Sequence, residues 1–191
     1  MEYIASGVAG FLVIHLFDLV SLKRLPLLKP VIWLLGGGLV GYSLVMLVLL
    51  PGRLALAPWS VSLGWVLLAI SLGFLVYSLF VNLPFRRTYL EKGVGDRLVK
   101  TGFYALSRHP GVIWFGFFLG GLILASGSRM MALAAPVFFA VDVVLVVLED
   151  RVFFPRMFPG YRDYQKETPM LFPDRESLKK FFRRSCSSSG K

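Results

Sequence analysis

Arg108-His109-Pro110, and Glu149-Asp150 beyond two apolar stretches, are the residues of this 191-residue chain whose types and spacing suit chemistry. Proline fits the first turn of a helix, where a missing N–H is harmless, so Arg108 and His109 should stand at a helix entrance. Free N–H groups there, together with a guanidinium, suit an anion such as a carboxylate. Glu149 and Asp150 follow an apolar run and would end its helix, where negative charge opposes the macrodipole, so they ask for a partner or a ligand. Charges bracketing two apolar stretches imply a polar site at a membrane surface. A charge at bilayer depth costs about 2.5–3.5 kcal/mol even on insertion scales, so such groups normally have partners or a job.

The elements that must position these residues are apolar helices. The chain is 56% hydrophobic with a mean hydropathy of +0.69, too apolar for a domain with a wetted surface. Five stretches approach the roughly 20 residues that cross a bilayer core: Ile4–Leu22, Val31–Leu50, Val61–Leu83, Gly111–Ser126 and Met131–Leu148. The expected fold is an all-α, multi-pass membrane protein of about five transmembrane helices in one domain spanning 1–191. Gly127 to Met130 joins the last two as a tight hairpin, which returns the Arg108 and Glu149 regions to one side. Basic residues alternate along the chain: Lys23, Arg24 and Lys29 in the first connection, Arg86, Arg87, Lys92, Arg97, Lys100 and Arg108 in the third, and more in the tail. Only Arg53 and Arg129 lie in the other connections. The positive-inside rule then places the N-terminus outside and the C-terminus in the cytoplasm. The net charge of +10 is a topology signal and not a sign of nucleic acid.

Several other residues are read structurally. Gly36-Gly37-Gly38 with Gly41, and Gly116, Gly120 and Gly121, offer faces for close helix approach. Trp33, Trp59, Trp65 and Trp114 read as headgroup-layer anchors. His15 and Asp18, three apart on the first helix, can form a local pair. Asp142 lies two helical turns before Glu149 on the same face and either lines the same cavity or pairs with another helix. The single Cys186 allows no intrachain disulfide, and the two histidines lie too far apart in sequence to suggest a metal centre. The third connection, 84–110, is the longest between spans, and its glycines Gly93, Gly95 and Gly102 permit turns and close backbone approach. After Arg151 the chain alternates aromatic, proline and basic residues, as an interfacial segment on an anionic leaflet would. Residues 185–191 are expected to be a disordered tail.

Three stretches together resemble a known family: Thr101 through Pro110, then Glu149-Asp150-Arg151, then Phe158-Pro159-Gly160-Tyr161-Arg162-Asp163-Tyr164. They are similar, in order and with the intervening hairpin, to the C-terminal half of the isoprenylcysteine carboxyl methyltransferases and related phospholipid N-methyltransferases. The resemblance covers about residues 86–173. It implies a cofactor-binding half over 84–173 that holds S-adenosylmethionine at the cytoplasmic face through Gly102, Tyr104, Arg108, His109, Pro110, Glu149 and Asp150, with Tyr161 and Tyr164 covering the adenine or closing the site. Carboxylates would attract the sulfonium and ammonium of the cofactor, while Arg108 or helix N–H groups would hold its carboxylate. The chain departs from the family pattern at Val112 and Trp114, where tyrosine and glycine are usual, and at Asp150, where glutamate is commoner.

The activity this implies is methyl transfer to an amphiphilic or lipidated acceptor drawn from the bilayer. Glu149 is the candidate proton acceptor for an amine or thiol, and Arg151 the candidate partner of an acceptor carboxylate. Two other classes fit parts of the pattern. Membrane sterol reductases share an Arg-His-Pro helix and use NADPH. A non-catalytic membrane protein would keep the scaffold and bind lipid or a partner helix through the basic tail.

Overall fold

The structure is a computed structural model and describes residues 1–23, 25, 27–83 and 98–188. Arg24, most of the expected third connection (84–97, including Arg86, Arg87, Lys92, Gly93, Gly95 and Arg97) and residues 189–191 lie outside the described residues. The elements are α1 (Glu2–Leu22), α2 (Leu28–Leu49), α3 (Pro58–Val76), α4 (Pro110–Ser126), α5 (Arg129–Leu148), α6 (Phe154–Met157), α7 (Tyr161–Glu167) and α8 (Arg175–Ser188). Wide π turns extend α3 over Tyr77–Val81 and α5 over Glu149–Phe153, and a 3₁₀ turn covers Gly102–Ala105. Among the described residues there is no strand, only an isolated bridge between Arg53 and Ser128.

Four helical segments are long and apolar enough to cross a membrane: Glu2–Leu22, Leu28–Leu49, Pro58–Val81 and Arg129–Met157. The fourth expected span is apolar but shorter, 17 residues, because Pro110 starts it and Gly127, at φ +62°, ends it in the left-handed region. Ser128 then caps α5, its hydroxyl accepting from the Met131 N–H at 3.2 Å and donating to the Leu47 carbonyl at 2.6 Å. That hairpin end is tied to the α2–α3 connection, where the Leu54 N–H donates to Gly127 O at 2.7 Å and Arg53 reaches Val48 O at 2.7 Å. The antiparallel run of helices brings the start of α4 and the end of α5 to the opposite end of the bundle.

Two glycine seams set the helix pairing. A Cβ at Gly10 would fall 2.9 Å from Gly36 O, and one at Gly36 would fall 2.8 Å from the Ile14 backbone, so α1 and α2 touch backbone to backbone. Gly64 and Gly121 do the same for α3 and α4, with added Cβ atoms 2.4 Å from Ala125 N and 2.7 Å from Leu68 N. Gly116 meets Phe139 of α5, but Gly37, Gly38, Gly41 and Gly120 face open space, so only part of the expected glycine faces is used for packing. Between the hairpins, Phe11, Leu47, Leu119, Met131, Ala134, Ala135 and Phe138 form the apolar core.

Two tryptophans depart from the expected anchoring role. Trp33 packs edge-on against Phe80 at 5.5 Å, and Trp114 lies tilted on Phe74 at 4.5 Å, so both belong to aromatic clusters. Trp59 and Trp65 are exposed. Asp174 and Ser177 cap α8 reciprocally, and the tail expected to be disordered from residue 185 begins within this helix.

Seam and open glycines should respond oppositely. Gly64→Ala and Gly121→Ala are expected to lower the unfolding midpoint in detergent, by an overpacking cost of about 1–3 kcal/mol. Gly120→Ala should leave the midpoint unchanged or raise it, as followed by circular dichroism.

Candidate functional site

Adjacent in sequence, Asp150 and Glu149 point to different places. Asp150 turns into the protein. Its carboxylate takes Arg108 through two parallel bonds, Nε to Oδ1 at 2.8 Å and Nη2 to Oδ2 at 2.9 Å. It also accepts from the Tyr161 hydroxyl at 2.6 Å, from Gln165 Nε2 at 3.0 Å and from His109 Nε2 at 3.3 Å. Arg108 sends Nη1 to the carbonyls of Gln165 and Thr168. Asp150 is 4% exposed and Arg108 9%, so this planar pair is a buried, fully hydrogen-bonded clasp.

The clasp fastens the C-terminal segment over the entrance of α4. The Arg108 and His109 N–H groups donate to the carbonyls of Pro169 and Met170 at 3.0 and 3.1 Å, and the Ser107 hydroxyl donates to Met170 O at 2.9 Å. The N–H groups just ahead of α4, those of Arg108 and His109, are thus taken up by a strap of the chain's own backbone. Tyr164 donates its hydroxyl to Tyr104 O. Burial, with the Asp150 carboxylate beside it, raises Tyr161 above the usual phenol range, and burial raises Tyr164 too, so both phenols stay protonated donors. Burial opposes the Arg108 charge, but Asp150 outweighs it and lifts the guanidinium pKa above its ordinary value.

Glu149 turns the other way, into a cavity of 1310 Å³ between the two hairpins. His15 Nε2 lies 3.0 Å from Glu149 Oε1, and His109 Nδ1 lies 3.9 Å from Oε2. Asp18 and Asp142 line the same cavity. His15 thus pairs with Glu149. The other His15 ring nitrogen donates to Phe11 O at 2.9 Å, which fixes the ring with Nε2 toward Glu149. His109 is held in a comparable way: Asp150 takes Nε2–H, Phe154 stacks on the ring at 5.5 Å, and Nδ1 faces Glu149. A base oriented by one carboxylate and presented to a second group is the arrangement that supports proton transfer.

Consecutive residues on a helix point about 100° apart, which is enough to send Glu149 and Asp150 to different places, and both lie in the π turn Glu149–Phe153, a distortion frequent at functional sites. The matching π turn in α3 ends at Asn82, whose side chain donates to Thr101 O at 3.1 Å and accepts from the Phe103 N–H at 3.0 Å. Gly102 between them has φ +59°, and a Cβ there would strike Asn82 Oδ1 at 2.1 Å, so this glycine serves turn geometry.

Of the residues singled out from sequence, Tyr104, Arg108, His109, Glu149, Tyr161 and Tyr164 line the cavity. Gly102, Pro110 and Asp150 support it from outside the lining, and Arg151 is exposed and not part of it. Asn82, Gln165 and Thr168 were not expected. Asn and Gln at segment ends look like ordinary polar residues, and Thr168 contributes only a backbone carbonyl. Among the described residues no group of three or more histidine, cysteine or acidic side chains could hold a metal ion.

Fold and site together define an all-helical protein of long apolar helices, compatible with membrane integration, whose interior cavity has a charged end and apolar walls. The chain belongs to the DUF1295 family, described as proteins of unknown function, whose model matches residues 39–168. No curated protein and no solved structure matches the chain. His15 and Asp18 precede the matched stretch, and the carbonyls of Pro169 and Met170 follow it.

Removing one partner of the clasp strands a buried charge. Arg108→Ala or Asp150→Ala should therefore destabilise the protein by about 3–5 kcal/mol, whereas Arg108→Met with Asp150→Leu should recover much of that loss. Limited proteolysis should show residues 158–173 released in the single variants and retained in the double.

Proposed function

We propose that the protein is a membrane methyltransferase that uses S-adenosylmethionine and acts on an amphiphilic acceptor taken from the bilayer. The observation that carries this reading is the division of labour between Glu149 and Asp150. One carboxylate builds the site, and the other is presented to a cavity large enough for both a nucleoside cofactor and an acceptor chain. The resemblance of residues 101–110, 149–151 and 158–164 to isoprenylcysteine carboxyl and phospholipid N-methyltransferases supports it. In this topology the shorter α4 is the fourth of five crossings, the N-terminus is outside, and the clasp and cavity mouth face the cytoplasm, in keeping with the distribution of basic residues.

The residues present fit such a cofactor. Asp18, Asp142 and Glu149 face the cavity beside His15 and His109; the buried Lys29 also lines it, and the Arg108 charge is answered by Asp150 outside the lining, so the lining carboxylates outnumber the lysine. This end of the cavity favours a cationic ligand. The rings of Tyr104, Phe154, Phe158, Tyr161 and Tyr164 offer flat surfaces for a purine. When bound, S-adenosylmethionine supplies a methyl group already attached to its leaving group. The protein's part is to align the acceptor, exclude water and receive a proton. Alignment alone can lower a barrier by several kcal/mol, and Glu149, with His15 and His109 fixed on either side, takes the proton of an amine or thiol. Arg108 and Asp150 act here as positioning residues for His109 and Tyr161, which revises the direct cofactor contact that the resemblance implies for them.

A phosphate-rich cofactor such as NADPH is disfavoured by the same acidic lining, which leaves the reductase reading second. Calorimetric titration of S-adenosylhomocysteine and, separately, NADPH into the detergent-purified protein distinguishes the two. Saturable S-adenosylhomocysteine binding is expected, lost in Glu149→Ala and His109→Ala and retained in Arg53→Ala at the far end of the bundle. NADPH binding alone would establish the reductase reading, and binding of neither would leave a non-catalytic lipid or partner-binding role.

A further inference from the structure

The α1 side of the cavity holds two buried polar atoms that the fold leaves unsatisfied. Asp18 Oδ2 and Ser21 Oγ have no hydrogen-bond partner, although both residues line the cavity and are 6% and 1% exposed. Burying an oxygen without a partner is costly, so two of them one helical turn apart mark a place where a ligand group belongs. The other feature is that the Asp18 and Glu149 carboxyls line the same cavity. Two carboxyls facing one cavity favour a cation between them.

One ligand head answers both needs. An alkylammonium group has several N–H donors and a positive charge, so it can bridge Asp18 and Glu149 and also give a hydrogen to Ser21. A carboxylate head would bring a third negative charge to Asp18 and Glu149. An alcohol has one donor and cannot satisfy both carboxyls. The walls beside this head are apolar. Gly37 and Gly38 of α2 line the cavity, and a Cβ at either would meet nothing within 4 Å, so α2 leaves an open channel alongside the head site. Leu34 on α2 and Leu72 on α3 continue that wall.

We infer that Asp18, Ser21 and Glu149 form the head site for the protonated amine of a single-chain amphiphile, whose aliphatic chain lies along Gly37 and Gly38. This deepens the methyltransferase reading of the same cavity and rests on it for the identity of the ligand as acceptor: it selects an amine over a carboxylate. The site depends on α1, which precedes the part of the chain matched by the family model.

The test uses the full-length protein in neutral detergent, titrated calorimetrically with dodecylamine, dodecanol and dodecanoate against protein-free micelles. The amine is expected to bind most tightly and the carboxylate least. Asp18→Asn should weaken amine binding about tenfold or more, the loss of a charge-assisted bond, and Ser21→Ala should weaken it less. Gly38→Leu should reduce binding of all three chains by filling the channel. Dodecanoate binding as tightly as dodecylamine to the unaltered protein would overturn the proposal without recourse to any variant. Amine binding unchanged in both Asp18→Asn and Ser21→Ala would overturn it as well. A separate titration of the unaltered protein with S-adenosylhomocysteine keeps the two ideas apart. Absence of that binding removes the methyltransferase reading, while the amine series decides the head site by itself.

Discussion

The buried pair of Arg108 and Asp150 is the constraint from which the rest of this structure follows. Both charges are withdrawn from water, and each is matched by bonds in the plane of the other, so neither can be displaced without leaving an uncompensated ion. Through Tyr161, Gln165 and Thr168 the pair also fixes a segment that has little apolar core of its own. The orientation of His109, the closure of the cavity beneath Tyr161 and Tyr164, and the strap over the start of α4 all follow from that one geometry.

Around the clasp, the bundle combines rigid and open parts. Glycine seams lock α1 to α2 and α3 to α4 at backbone distance. The cavity lies where these two hairpins face each other, bounded by α5 and the C-terminal segment. Polar groups that the fold needs are satisfied at the clasp, and those that face the cavity are only partly so. Fully bonded polar groups make a scaffold, and underbonded ones in a cavity make a binding site.

Much of this was legible in the sequence. Apolar lengths, Pro110 and the Gly127-Ser128 turn marked the long helices and the hairpin. Arg108, His109 and Glu149-Asp150 stood out because charge beside apolar runs is costly. Their individual roles were not legible, since adjacent residues on a helix always point apart and the sequence does not say which of the two faces the protein and which the cavity. Nor could composition reveal that the carbonyls of Pro169 and Met170 bind the backbone just ahead of α4, because every residue carries a carbonyl. The glycine seams were half visible. The consecutive glycines of α2 drew attention, while isolated Gly10 and Gly64 make closer contacts than Gly37 or Gly38. His15 and Asp18 looked like a local pair at helical spacing, but the partner of His15 lies on a helix far along the chain.

The clasp also has a history in time. Arg108 is made well before Asp150, Tyr161 and Gln165, so during synthesis the guanidinium must wait at the end of a finished helix for partners still to be translated. Its own charge and hydration keep that end of α4 in water until then. The cavity can close only when the strap reaching Met170 has left the ribosome, so the helices come first and the chamber between them last.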